Sequence, residues 1–158
     1  MATIYESPLG RLTIDEDGGA LRGLWMEGQA HFPEHALGAS EQASGAVAAW
    51  LDDYFAGKNP ELTFEIVPTG SDYQHAVWSA LREVPYGHTV TYSQLADVVS
   101  AKRGTPTAAR AIGGALGKNQ ISIVIPCHRV VGTNGKITGY AGGIDRKIWL
   151  LEHEASTL

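Results

Sequence analysis

Apolar and polar positions alternate in three short runs near the start of the chain. Residues 3–5, 12–14 and 21–25 each read as strand, separated by the turn chemistry of Ser7-Pro8-Leu9-Gly10 and Asp17-Gly18-Gly19. The period then changes. Within residues 44–55, Val47, Trp50, Leu51, Tyr54 and Phe55 recur at helical spacing, and Gly57 follows as a stop. Residues 62–67 alternate again without a breaker and predict a further strand. Pro68-Thr69-Gly70 is the candidate boundary, dividing the chain into a small α+β unit at 1–68 and a second unit at 69–158.

The second unit reads as helices around one buried strand. Ser71 followed by Gln74 is a capping box, in which each side chain satisfies an orphan backbone N–H. Tyr73, Val77, Leu81 and Val84 then share one face, and Pro85-Tyr86-Gly87 ends the helix. Thr91 and Gln94 form a second box, opening a helix that turns Leu95 and either Val98 or Val99 inward. After Lys102-Arg103-Gly104, Thr105 reads as a cap and Pro106 as the first helical residue of a segment ending at Gly117. Two short helices joined by a Gly-containing turn suggest a helix-turn-helix, here with a long turn. Residues 121–125 are an apolar, β-branched run predicting a buried strand. Residues 145–154 predict a last helix, with Asp145 capping and Ile148 and Leu151 inward.

Composition sets the bounds. The chain has 158 residues, 44% hydrophobic and 18% charged, as in globular domains. No run reaches the roughly 18 apolar residues of a membrane span. The N-terminus lacks the basic-then-apolar pattern of a signal peptide, and a lone cysteine forms no internal disulfide, so a reducing cytoplasm is expected. That single thiol also excludes a zinc site built on several thiolates. His31 and His35 are four apart, but Pro33 between them opposes a helical metal pair, and they read as surface-loop residues.

The net charge of −5 is unevenly placed. Residues 1–70 carry three Lys/Arg against eleven Asp/Glu, whereas residues 101–147 carry eight Lys/Arg against Asp145 alone. A basic segment on an acidic protein fits a phosphate-binding face or a solvated surface. Within it the helix at 106–116 has almost no bulk: Ala108, Ala109, Ala111, Gly113, Gly114 and Ala115 surround Arg110. Each glycine costs a helix about 1 kcal/mol relative to alanine. Close approach to another surface would compensate, either a neighbouring helix or a nucleic-acid groove.

Candidate chemistry centres on Pro126-Cys127-His128-Arg129. A lone cysteine is either a small buried hydrophobe or a nucleophile, and adjacent cationic groups favour the thiolate by lowering the thiol pKa. In a strand Cys127 and His128 would point apart, but a turn after Pro126 brings both to one site. A histidine base needs an orienting partner. Glu154 is either that carboxylate or an ordinary surface charge, and Asn119 is either a brace for the Cys127 loop or a plain loop residue.

These motifs together resemble the 6-O-alkylguanine-DNA alkyltransferases along nearly the whole chain. The residues that carry the likeness are Ser7-Pro8-Leu9-Gly10, LDDYFAG at 51–57, Val84-Pro85-Tyr86-Gly87 with Thr91-Tyr92, Ala109-Arg110-Ala111-Ile112-Gly113, Asn119, IPCHRVVG at 125–132 and Gly139-Tyr140-Ala141-Gly142-Gly143. The resemblance implies an α+β fold: an N-terminal ribonuclease-H-like domain, then a mainly helical domain with a winged helix-turn-helix. It implies repair by direct damage reversal in double-stranded DNA, after minor-groove binding and flipping of the damaged base. An alkyl group passes irreversibly from O6 of guanine, less well from O4 of thymine, to the protein's own cysteine, once per molecule.

By that resemblance Cys127 is the acceptor, His128 takes its proton through water, Glu154 orients the imidazole and Asn119 braces the turn. Tyr92 assists flipping and protonation of the leaving guanine, and Arg110 fills the gap left by the base. Ser93, Ala109 and Gly113 join Tyr92 and Arg110 on the DNA. Tyr140, Val130, Lys147 and Leu116 form the substrate pocket. No metal or cofactor is implied, and a monomer without membrane association is expected. Ala141 stands where some relatives carry a serine hydroxyl. The phosphate-sensing module of the adaptive-response regulator has no counterpart, so no transcriptional role is expected. Two other readings are a non-catalytic alkylated-base-binding protein, whose relatives commonly replace the cysteine, and a Cys-His-Glu thiol hydrolase, which would need oxyanion donors and turn over.

Overall fold

Three antiparallel strands form where the alternation predicts them: β1 (Ala2–Ser7), β2 (Gly10–Asp17) and β3 (Ala20–Met26), in the order β1-β2-β3. The structure is a computed structural model describing residues 1–158. Leu12, Ile14, Leu21, Leu24 and Met26 are wholly buried, so the inner face of the sheet is core. Helix α1 (Ala46–Phe55) buries Val47, Leu51 and Tyr54.

The predicted strand at 62–67 does not form. Leu62, Phe64 and Ile66 pack against the core, which explains their alternation. The backbone touches β3 only around Leu21, whose N–H donates to Glu65 O (2.8 Å) and whose C=O accepts from Val67 N–H (2.9 Å). Apolar spacing thus reports a packed edge segment without a ladder.

Helices α2 (Asp72–Leu81) and α3 (Tyr92–Arg103) open with the two predicted capping boxes, both fully formed. Val99 is the buried choice on α3, whereas Val98 is exposed. Gly104 ends α3 in the left-handed conformation (φ 71°). Helix α4 (Ala109–Gly117) starts three residues later than predicted, with Ala108 as its N-cap. Thr105 does not cap it and Pro106 lies outside it. Thr107 competes for the chain there: its N–H donates to Ser100 Oγ (2.9 Å) and its hydroxyl bonds the Tyr73 hydroxyl (2.6 Å). The turn of the helix-turn-helix is lengthened accordingly.

Two-residue strands β4 (Val90–Thr91) and β5 (Val130–Val131) pair in parallel. Helix α5 (Ile144–Ser156) closes the fold. Its N-cap is Gly143, with Asp145 in the first turn rather than capping. Its inward residues are Lys147, Leu150 and Glu154 instead of Ile148 and Leu151. That face carries two charged groups, which a hydrophobic-periodicity argument assigns to solvent. One core of 27 buried residues runs through both halves, from Leu9 to Leu150.

Candidate active site

Residues 121–125 are buried as predicted but form a turn instead of a strand. The chain meets β3 at Leu24, whose N–H donates to Gln120 O and whose C=O accepts from Ser122 N–H. It then reverses at Ile123, at φ 71°. A β-branched residue in this region costs of order 1–3 kcal/mol and needs surroundings that hold it. Asn119 supplies them. Its Oδ1 accepts from Ile121 N–H (2.9 Å), and its Nδ2 donates to Ile125 O (3.0 Å) and Cys127 Sγ (3.2 Å). One amide fixes the turn and touches the thiol.

Cys127, His128 and Arg129 occupy a 3-10 turn, all buried. Glu154 arrives from α5, itself buried, so the surface-charge reading falls. His128 Nε2 lies 2.7 Å from Glu154 Oε2, and Arg129 grips the same carboxylate through Nε (2.8 Å) and Nη2 (3.1 Å). Tyr54 of α1 donates to Oε2 at 2.6 Å and Gly87 N–H to Oε1 at 3.2 Å. Gly87 has φ 79°, which turns its N–H inward after Pro85-Tyr86.

Burial raises the pKa of Glu154, but its bonds to His128 and Arg129 outweigh this and hold it well below the carboxylate range. It is therefore an acceptor only, and His128 must donate through Nε2. Burial holds His128 below its ordinary value against the pull of Glu154, so the resting imidazole is neutral. The tautomer follows: Nδ1 carries the lone pair, and it is buried with no hydrogen-bond partner. A free base nitrogen sits beside Cys127 in the chain.

The thiol behaves differently from the sequence expectation. Burial pushes its pKa up, and Asn119 and the Lys147 ammonium only partly offset this. The adjacent cations do not deliver a resting thiolate, because Arg129 is committed to Glu154.

A pocket of about 330 Å³ opens over Cys127, within the usual size range of small-ligand sites. Tyr92, Gly113, Leu116, Gly117, Gly139, Tyr140 and Ala141 line it with Cys127. The Tyr140 hydroxyl is buried near Cys127 and Ser122 without a well-formed hydrogen bond to either. Val130 and Lys147, expected in the pocket, lie behind its wall. Val130 is sealed in β5, and Lys147 Nζ donates to Val130 O (2.6 Å) and Thr138 Oγ1 (3.3 Å). Lys147 thus ties β5 to the 138–143 segment that carries Tyr140. The Tyr92 hydroxyl bonds the Thr138 hydroxyl (2.7 Å) on the same segment.

Ala30 and His31 of the N-terminal half also line the pocket. Ala30 N–H donates to Ala141 O at 3.0 Å. The loop reading of His31 missed this, and no local pattern signals it. The sequence likewise marks Tyr54 and Gly87 only for packing and turn formation.

The outer face of α4 resolves the small-residue question. A methyl group added to Gly114 or Gly117 would meet no protein atom within 4 Å, and one on Gly113 only Tyr92 Cε1 at 4.0 Å. The glycines are not there to admit a neighbouring helix. Ser93 and Arg110 are exposed, and Ala109 is half-buried at the start of α4. The pocket mouth, at Tyr92, Gly113 and Gly117, adjoins this bare helix face.

Comparison with known proteins gives matches along nearly the whole chain. Residues 1–69 match the model of the 6-O-methylguanine DNA methyltransferase ribonuclease-like domain, and residues 72–156 match that of the 6-O-methylguanine DNA methyltransferase DNA binding domain. The chain is 45% identical over 153 residues to the methylated-DNA–protein-cysteine methyltransferase of Mycobacterium tuberculosis, covering 96% of this chain and 90% of the relative. It is 40% identical over 167 residues to the protein of the same name from Methanosarcina acetivorans, covering 97% of each. The crystal structure of Mycobacterium tuberculosis OGT in complex with DNA superposes with a TM-score of 0.89 at 42% identity, over 99% of this chain and 93% of that one. The chain belongs to the 6-O-methylguanine-DNA methyltransferase family.

Proposed function

We propose that this protein repairs DNA by direct reversal, moving an alkyl group from O6 of guanine in duplex DNA to Cys127. The observation that carries the reading is Cys127, bonded by Asn119 and next in the chain to the buried His128–Glu154 pair, in the wall of a pocket also lined by Gly113 and Gly117 of the bare, Arg110-bearing helix α4.

The α4 face enters the minor groove, where its glycines let the backbone approach. Arg110, Ser93 and Ala109 contact the DNA, and Arg110 occupies the space of the flipped base. Flipping delivers the alkylated guanine past Tyr92 and Gly113 into the pocket, between Leu116 and Tyr140. The thiol is protonated at rest, so reaction begins with proton removal. His128 Nδ1 takes the proton through one water, and Glu154 stabilises the imidazolium through Nε2. Cys127 Sγ then attacks the alkyl carbon. The S–C bond forms as the C–O6 bond breaks, and the bonding pair leaves on the purine, toward which the Tyr92 hydroxyl supplies a proton. Lys147 stabilises the segment carrying Tyr140.

Displacement at saturated carbon needs alignment and no oxyanion hole, whereas a thiol hydrolase would need oxyanion donors and would turn over. The thioether does not reverse, so each molecule acts once. Chemistry of this kind on a free thiol suits a reducing cytoplasm. No helix is long and apolar enough to cross a membrane. Transfer from O4 of thymine proceeds more slowly at the same thiol. Function divides at about residue 68, with DNA binding and alkyl acceptance in 69–158, and the protein acts as a monomer. The retained thiol favours transfer over simple lesion binding.

Cys127→Ser tests this reading. A duplex carrying one 6-O-methylguanine should be restored to guanine by the wild type in equimolar amount and left unrepaired by the variant. Equal repair by both, or repair of many duplexes per wild-type molecule, would overturn it.

A further inference from the structure

The Glu154 carboxylate has five donors, and one comes from the other half of the chain. Tyr54 lies on α1, one hundred residues away in sequence, yet its hydroxyl donates to Glu154 Oε2 at 2.6 Å. His128 Nε2 and Arg129 Nη2 share that oxygen, at 2.7 and 3.1 Å, while Oε1 takes Arg129 Nε and Gly87 N–H. Tyr54 is wholly buried. Its ring stacks on Trp50 (centroids 5.5 Å apart) and meets Phe55, Tyr86 and His153. Aromatic neighbours on several sides fix its hydroxyl on the carboxylate.

Resting on the proposed transfer reaction, we propose that Tyr54 is a positioning residue of the alkyl-transfer site: by sharing Glu154 Oε2 with His128 it limits the charge available to the imidazolium and so sets how basic His128 is. Packing alone does not need the hydroxyl at this site, since phenylalanine would fill the same space. A carboxylate that gives part of its charge to Tyr54 and Arg129 is a weaker partner for the imidazolium. The effect on His128 is opposite in sign to that of Glu154 itself. The N-terminal half thereby acts on the chemistry without touching DNA or substrate.

The charged and titratable groups around the pair include His153 of α5, whose ring lies 5.4 Å from that of Tyr54 and whose Nε2 is 2.7 Å from Tyr54 O. Arg129 lies on the same turn as His128, and Lys147 on α5 acts on the imidazole at longer range. Tyr86 stands under the Arg129 guanidinium (5.8 Å), and its hydroxyl bonds Thr157 instead of Glu154. Cys127 and Tyr140 lie on the pocket side of the turn. Among the tyrosines, Tyr54 is the one whose hydroxyl bonds the carboxylate.

The test is Tyr54→Phe, with Tyr86→Phe as the neighbouring-hydroxyl control. Single-turnover methyl transfer is followed against pH at saturating 6-O-methylguanine duplex, and the His128 imidazole is titrated by NMR in the DNA-free protein. With the Tyr54 hydroxyl removed, Glu154 presents more charge to Nε2. The His128 titration and the acid limb of the rate profile should both move to higher pH, by about half a unit to one unit. Tyr86→Phe should leave both in place. Unmoved titration in Tyr54→Phe, or movement to lower pH, would overturn the proposal and leave Tyr54 a packing residue. Failure of the wild type to take up methyl would instead overturn the transfer reading, and the NMR titration would still decide the role of Tyr54.

Discussion

The Asn119 side chain bonds three groups of the cysteine turn. One amide satisfies Ile121 N–H and Ile125 C=O and reaches Cys127 Sγ, across a turn that places Ile123 in the left-handed region. Asn119→Ala leaves Ile121 N–H unpaired, at roughly 1–3 kcal/mol, while Ile125 C=O keeps its bond from Cys127 N–H (2.8 Å). Urea unfolding should show a loss of about 1–3 kcal/mol, with alkyl transfer falling as well; a loss under about 0.5 kcal/mol would mean the turn holds itself. The buried pair also sets a pH dependence. His128 and Glu154 both have folded pKa values below their unfolded ones. In both cases the unfolded chain binds protons more readily, so stability is full above the unfolded pKa and declines as pH falls. The unfolding midpoint should therefore drop from about pH 6.5 downward as unfolded His128 takes up a proton, and drop further below about pH 4.3 as Glu154 joins it. His128→Gln should flatten the first part of that decline.

At the scale of elements, the hydrophobic pattern located β1 to β3, α1, α2 and α3, because each has one face in the core and clear caps or turns. The two misread strands share a cause. Residues 62–67 and 121–125 are apolar because they pack beside β3, yet neither completes a ladder, and period alone does not distinguish burial from pairing. Helix α5 forms where the spacing predicts it, but its inward face differs for the opposite reason: it bears Lys147 and Glu154, whose partners Val130, His128 and Arg129 come from elsewhere in the chain. The cysteine turn was legible as a motif. The donors on Glu154 from Tyr54 and Gly87, and the pocket wall from Ala30 and His31, were not, since they depend on tertiary contact. Helix α4 gives a separable prediction. Gly114→Ala meets no protein atom and improves helix propensity, so it should stabilise the fold by up to about 1 kcal/mol. Gly114→Leu should fold normally but bind duplex DNA at least about tenfold more weakly, as steric bulk replaces close backbone approach. Unchanged affinity, measured by fluorescence anisotropy, would remove α4 from the DNA interface.

The molecule as a whole is one core with its chemistry at the seam. Tyr54 reaches Glu154, Ala30 holds Ala141, and Arg146 of α5 donates to Leu9 O (3.2 Å) and Gly142 O (3.3 Å), tying the first hairpin to the pocket segment. Cys127 is 7% exposed and its Sγ accepts from Asn119 Nδ2 (3.2 Å), so an alkyl group on the sulfur crowds that contact, at about 1–3 kcal/mol. The melting temperature should fall by roughly 3–10 °C on methylation. An unchanged value by calorimetry would mean that the pocket accommodates the product without strain.

The central claim is that Cys127 keeps the alkyl group. Intact-mass measurement after incubation with duplex DNA carrying one 6-O-methylguanine tests it most directly. The predicted result is a gain of one methylene, roughly 14 Da, mapped to the Cys127 peptide and saturating at one per molecule. An unmodified protein bound tightly to unrepaired DNA would contradict it, and so would repaired DNA alongside protein of unchanged mass.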